Sequence, residues 1–168
     1  MNDNLIEELA VRNLYDKYTD AVNRRDWATY ESCWTADAVW ELHPPINQLQ
    51  TGIENIMTEC KRAVESQELF VQMNHAVVIS DLTENTARGS VTLNEIGKAR
   101  KDVPAALPGV EGMNILAFYA DEIVKQDDQW KFKKRVYDVV YINFAAPEGQ
   151  VFPLPANSKS AARTAEKP

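Results

Sequence analysis

Near residue 65 the apolar periodicity of this chain passes from mainly helical to alternating, and that change limits the folds open to it. Up to about residue 65 the apolar residues recur at helical spacing: Leu5, Ile6, Leu9, Leu14, Tyr18, Ala21 and Val22 follow one stripe, and Trp27, Tyr30 and Trp34 a second. From residue 69 they alternate. Leu69, Val71, Met73, His75, Val77 and Ile79 share one parity and hence one face; Asp81 to Asn85 supplies a turn; Ala87, Gly89, Val91, Leu93 and Glu95 share the next face. Helices followed by consecutive strands predict an α+β fold, with helices covering one face of an antiparallel sheet.

Local signals fill in this outline. Asn2, Asp3 or Asn4 can cap the first helix and Asp26 the second. Residues 36–42 change period and read as a short strand, ended by Pro44-Pro45 because proline cannot donate to a sheet ladder. Thr51 and Glu54 have capping-box spacing, which predicts a third helix to about Glu65 with Ile53, Ile56, Met57, Cys60 and Val64 inward. Residues 98–112 read as a long loop, and residues 113–125 and 129–143 as a hairpin turning at Asp127-Asp128. Residues 1–144 are expected to form the single domain, and 145–168 a tail whose last dozen or so residues have little to bury and are expected to be disordered.

The chain has 168 residues, enough for one sizeable core but not for a catalytic domain plus a separate dinucleotide domain. With 18 Lys+Arg against 25 Asp+Glu, the net charge is −7, and the basic runs are short, so the electrostatic footprint of a nucleic-acid binder is missing. Cys33 and Cys60 are too few for a disulfide framework or a zinc cluster and suit reduced thiols in the cytoplasm. An acidic N-terminus and the lack of a long apolar run argue against a signal peptide or a membrane span. Glycine-rich phosphate loops and G-x-S-x-G elbows are missing, and two histidines leave the usual metal sets incomplete, so neither cofactor nor metal is expected.

The string Tyr18-Thr19-Asp20-Ala21-Val22-Asn23-Arg24-Arg25-Asp26-Trp27, leading into Trp34-Thr35-Ala36-Asp37-Ala38-Val39-Trp40-Glu41, resembles the SnoaL-like branch of the nuclear transport factor 2-like superfamily. Ala117 to Glu122, the Asp127-Asp128 turn, Gln129-Trp130-Lys131-Phe132 and Arg135 resemble the last hairpin of that family, and His75 adds a third point over residues 5–143. The resemblance implies a cone-shaped α+β barrel, a curved sheet wrapped around the helices with an apolar pocket at its open end. Dehydratases, isomerases, cyclases and non-catalytic domains share that fold, so residues must decide the function.

His75 is a candidate proton carrier, since its parity places it on the barrel-lining face and related lyases such as scytalone dehydratase carry a histidine near the matching position. A core histidine bonded to a neighbour is the alternative. Tyr18 resembles the oxyanion-hole tyrosine of ketosteroid isomerase, and Asp121 falls where that enzyme has its protonated aspartic acid. A core tyrosine and a solvent-facing strand residue are the respective alternatives. Glu95 continues the apolar face of its strand, near an aspartate of bile-acid dehydratase, and a buried carboxyl there would be a base of raised pKa; at the rim it would instead be exposed. Several dehydratases of the fold have Asp where this chain has Asn23, whose amide could position a substrate oxygen. Glu41 lies near the position of the isomerase base, although Leu42 aligns with that base itself. Arg135, beside Lys133 and Lys134, is expected on an exposed basic strand face, with an anion site as the alternative. Trp40, Phe118, Tyr119 and Tyr137 are expected to line the pocket and favour flat ring compounds.

The function these residues imply is a cofactor-independent lyase or isomerase acting on a small apolar ring compound. His75 with Glu95 or Asp121 would move the proton, and Tyr18 or Tyr119 would stabilise oxygen charge. Elimination of water or of formaldehyde, polyketide cyclisation and a non-catalytic binding domain remain open. The outer sheet face is expected to support a homodimer.

Overall fold

The computed structural model describes residues 2–105 and 109–154, so the disorder expected for the end of the tail lies outside the described residues. Three helices and six strands follow in the order α1 (Asn2–Arg24), α2 (Trp27–Ser32), β1 (Trp34–Leu42), β2 (Gln48–Thr51), α3 (Ile53–Glu65), β3 (Gln67–Ser80), β4 (Thr86–Ala99), β5 (Gly112–Gln126) and β6 (Gln129–Asn143). The described strands form one sheet in the order β2-β1-β6-β5-β4-β3, in which β1 runs parallel to β6 and the other neighbours are antiparallel. The sheet is therefore mixed, because the chain crosses from β1 through α3 before the long meander begins.

The helices cover one face of the sheet. On α1 the residues Val11, Leu14, Tyr15, Tyr18, Ala21 and Val22 are buried, whereas Leu5, Ile6 and Leu9 are exposed, so only the C-terminal part of the apolar stripe reaches the core. Asn2, Asp3 and Asn4 lie within α1 rather than ahead of it. Asp26 caps α2 as expected: its carboxylate accepts from the Thr29 amide at 3.2 Å and from the Thr29 hydroxyl at 2.8 Å. The Thr51–Glu54 capping box does not form, because Thr51 ends β2 and Gly52, at a φ of 81°, occupies the N-cap. Ile56, Met57, Cys60 and Val64 of α3 are buried, as its spacing predicts.

The β5–β6 turn places Asp127 and Asp128 at positive φ, 51° and 57°, the backbone of a two-residue type I′ hairpin. Two bulges matter more for function. In β3 the register slips between Asn74 and Val77, so His75 and Ala76 face the single residue Thr92 of β4 and the side-chain parity reverses there. Phe70 and Gln72 point inward before the bulge, and Val77 and Ile79 pack against the core after it. In β6 a slip between Phe132 and Lys134 turns Arg135 from the solvent side to the core.

Candidate functional site

An apolar cavity of about 140 Å³ opens between α3 and the sheet, lined among others by Tyr18, Trp40, Cys60, Phe70, Ile115 and Ile142. An engineered apolar cavity of similar size binds benzene, so one ring fits inside. Four polar side chains of its lining, Gln72, Glu95, Tyr119 and Tyr137, meet in one cluster. Adjacent strands bring them there: Glu95 of β4 lies directly opposite Gln72 of β3, and Tyr119 of β5 opposite Tyr137 of β6.

The Glu95 carboxylate is shielded from solvent. One oxygen accepts from Gln72 Nε2 at 2.7 Å, and the other accepts from the Tyr137 hydroxyl at 2.8 Å. Gln72 Nε2 also donates to the Tyr119 hydroxyl at 2.9 Å. Burial pushes the Glu95 pKa above the ordinary carboxylate value, and the two hydrogen bonds to its charged form offset part of that rise. Burial also raises the phenols, Tyr18 to about 12 and Tyr119 and Tyr137 well above their ordinary value, so all three remain protonated donors at neutral pH.

Glu95, Tyr18, Trp40, Tyr119 and Tyr137 thus line one cavity. The remaining candidates are placed differently. His75 is exposed at the β3 bulge, because the reversed parity turns it away from the interior. Asn23 does not face the cavity. Its Oδ1 accepts from the Gln72 backbone N–H at 2.7 Å and its Nδ2 donates to the Gln72 carbonyl at 2.8 Å, so both halves of the amide are spent on β3. Glu41 lies on the far face of β1, paired with Lys134 at 2.9 Å and with His43 at 3.1 Å. Phe118 is exposed on the outer face, since alternation along β5 gives the inside to Ala117 and Tyr119.

Asp121 and Arg135 correct the expectation most strongly. Neither belongs to an exposed face. They are cross-strand partners beneath α1, and the Asp121 carboxylate also accepts from the Tyr15 hydroxyl at 2.7 Å. A Cβ on Gly89, opposite Asp121, would lie 2.1 Å from that hydroxyl, so glycine leaves the space that Tyr15 occupies. The Arg135 guanidinium stacks 3.8 Å from the Phe132 ring centre, 3.9 Å from Tyr119 and 4.3 Å from Tyr18. Asp121 is therefore the counter-ion of a buried cation, held behind the phenols that line the cavity.

A residue of the Glu95 cluster that sequence reasoning missed is Gln72. Carried past the bulge without a slip, the turn-side pairing of β3 and β4 would set Met73 opposite Glu95, and only the extra residue brings Gln72 there. Among the described residues no group of three or more His, Cys, Asp and Glu side chains could hold a metal ion. Nor is any described helix long and apolar enough to cross a membrane.

Comparison with known proteins agrees with this architecture. A Novosphingobium aromaticivorans protein named after scytalone dehydratase superposes with a TM-score of 0.73 at 18% identity, over 92% of this chain and 97% of that one. The hexachlorocyclohexane dehydrochlorinase LinA-type3 of Novosphingobium barchaimii superposes with a TM-score of 0.73 at 22% identity, over 90% and 98%. At these identities the likeness is one of fold. No curated protein matches the sequence. Residues 3–136 match the SnoaL-like domain, and with the helices-then-curved-sheet architecture this shows that the chain belongs to the SnoaL-like family.

Proposed function

We propose that this chain is a cofactor-independent lyase, with isomerisation as the nearest alternative, acting on a small ring compound with Glu95 as the proton-transferring group. The observation that carries the reading is the buried Glu95 carboxylate, hydrogen-bonded by Gln72 and Tyr137 within a largely apolar cavity. A carboxylate desolvated in this way is a stronger base than one in water, and an apolar wall keeps water from competing.

In elimination of water, Glu95 takes a proton from the carbon beside a hydroxyl-bearing carbon. The C–H electrons form the double bond as the C–O bond breaks, and the departing hydroxide takes the proton back and leaves as water. Elimination of formaldehyde uses the same base. Glu95 takes the proton of a hydroxymethyl O–H, the C–C bond breaks to form the new double bond, and hydroxide leaving from the next carbon carries that proton away as water. Tyr18 and Tyr119, kept as phenols by burial, supply donors to the negative oxygen.

The dehydratase and dehydrochlorinase named among the similar structures support an elimination over a cyclisation. The test is a screen of hydroxylated ring compounds by proton NMR for water loss or formaldehyde release, followed by Glu95→Gln on any active substrate. Loss of turnover in a folded Glu95→Gln variant is expected; full turnover would remove Glu95 as the base.

A further inference from the structure

Three buried polar atoms of residues lining the cavity have no hydrogen-bond partner: Gln72 Oε1, Trp40 Nε1 and Gln48 Oε1. Gln72 belongs to the Glu95 cluster. The other two stand together on the opposite wall. Leu42 pairs with Gln48 and Trp40 with Gln50 across β1 and β2, so Gln48 is the diagonal neighbour of Trp40 on the same sheet face, within reach of long side chains.

Strand order and register set them apart from Glu95. Between β1 and β4 lie β6 and β5, and the pairing aligns Trp40 with Arg135, Asp121 and Gly89, six residues along β4 from Glu95, so Trp40 and Glu95 belong to separate walls. A ligand that touches both walls therefore carries its polar group at the end away from the reacting bond.

The chemistry of that group follows from the orphaned atoms. Trp40 Nε1 can only donate, and Gln48 Oε1 can only accept. With the Gln48 amide oriented as in the structure, an ether or carboxylate oxygen would satisfy the indole and leave the Gln48 oxygen unpaired, whereas an ammonium would do the reverse. One hydroxyl satisfies both, accepting through a lone pair and donating its proton. The surrounding Leu42, Ile46 and Ile142 are apolar, and the charged lining residues Glu59 and Arg62 are paired with each other. The indole N–H, in a side chain only 8% exposed, has no protein acceptor, so its partner in the cavity is a water or a ligand.

We propose that Trp40 and Gln48 form a hydroxyl-binding subsite, and that the substrate is a ring compound bearing a hydroxyl remote from the bond that breaks. The subsite rests on the reading of this cavity as the substrate pocket, but not on Glu95 being the base.

The test uses 4-ethylphenol, 4-ethylanisole and 4-ethyltoluene, which differ in whether the para group donates and accepts, only accepts or does neither. Binding to the full-length protein is measured by calorimetry. The wild type is expected to bind the phenol about three- to tenfold more tightly than either analogue. Trp40→Phe, which keeps an aromatic ring, and Gln48→Leu should each remove that preference, and Glu95→Gln should keep it. If Trp40→Phe fails to fold, Gln48→Leu carries the same test on a part-exposed strand. The subsite is overturned if the wild type shows no preference, if the preference survives Gln48→Leu, or if Glu95→Gln alone abolishes it, which would put the hydroxyl at Glu95. A Glu95→Gln variant that keeps both the preference and full turnover would remove the catalytic reading and leave the subsite standing.

Discussion

The Arg135 guanidinium grips the Asp121 carboxylate with two hydrogen bonds, Nε to Oδ1 at 2.7 Å and Nη2 to Oδ2 at 3.0 Å, and neither side chain reaches solvent. Removing one partner strands a buried charge. Asp121→Ala is expected to destabilise the fold by about 3–5 kcal/mol, and Asp121→Leu with Arg135→Met by clearly less, because the double variant removes both charges. Denaturant unfolding of the three proteins measures this. Equal losses in the single and double variants would mean that the pair is not the source.

The raised pKa of Glu95 makes two pH-dependent effects separable. As a base it must be ionised, so kcat/KM should fall as pH drops through a midpoint above the ordinary glutamate value of 4.5. Stability runs the other way. A carboxyl whose folded pKa exceeds its unfolded pKa contributes stability fully below the unfolded value, and that contribution is lost as pH rises through the folded value. Glu95→Gln should therefore be at least as stable as the wild type near neutral pH, with its relative advantage shrinking in acid. Turnover should fall about 10²- to 10⁴-fold. An acid limb at an ordinary carboxylate midpoint would count against Glu95.

Asn23 spends both halves of its amide on the Gln72 backbone, so it is expected to act on the site by positioning Gln72. Asn23→Asp keeps an acceptor for the Gln72 N–H but sets a carboxylate against the Gln72 carbonyl. A loss of about 1–3 kcal/mol is expected, together with a lower kcat, because Gln72 then holds Glu95 less firmly. Asn23→Ser tests the same contacts without adding charge. Unchanged kcat in both variants would confine Asn23 to the fold.

His75→Ala should leave kcat and KM unchanged, because the imidazole sits outside the cavity on the β3 bulge. Steady-state kinetics on the substrate found by screening decides the matter. A large drop in kcat would return His75 to the reaction.

The same two bulges separate what the sequence discloses from what it hides. Glu95 is legible because β4 alternates without interruption from Ala87, so its inward face can be counted directly. His75 and Gln72 are misplaced by counting because an extra residue in β3 reverses the parity, and nothing in the apolar pattern marks it. Arg135 is hidden for the same reason: a basic run beside Lys133 and Lys134 reads as solvated until the β6 bulge turns its third member inward. The short strand β2 escapes notice because four residues beside a proline pair carry little period. Helix α3 is legible from its apolar spacing, although the capping box read at its start does not form, and the Asp127-Asp128 hairpin from its turn residues.

The Gln72 carboxamide behaves as a swivel on a fixed post. Asn23 pins its main chain, and while Glu95 is ionised its Nε2 points at the carboxylate and its Oε1 has no partner. Half a turn of the amide exchanges these atoms in nearly the same space. Once Glu95 holds a proton, the turned amide offers that proton an acceptor, and the Tyr119 hydroxyl can donate to it in place of receiving. Both charge states of the acid can then be housed by a single bond rotation, with no movement of strand or helix.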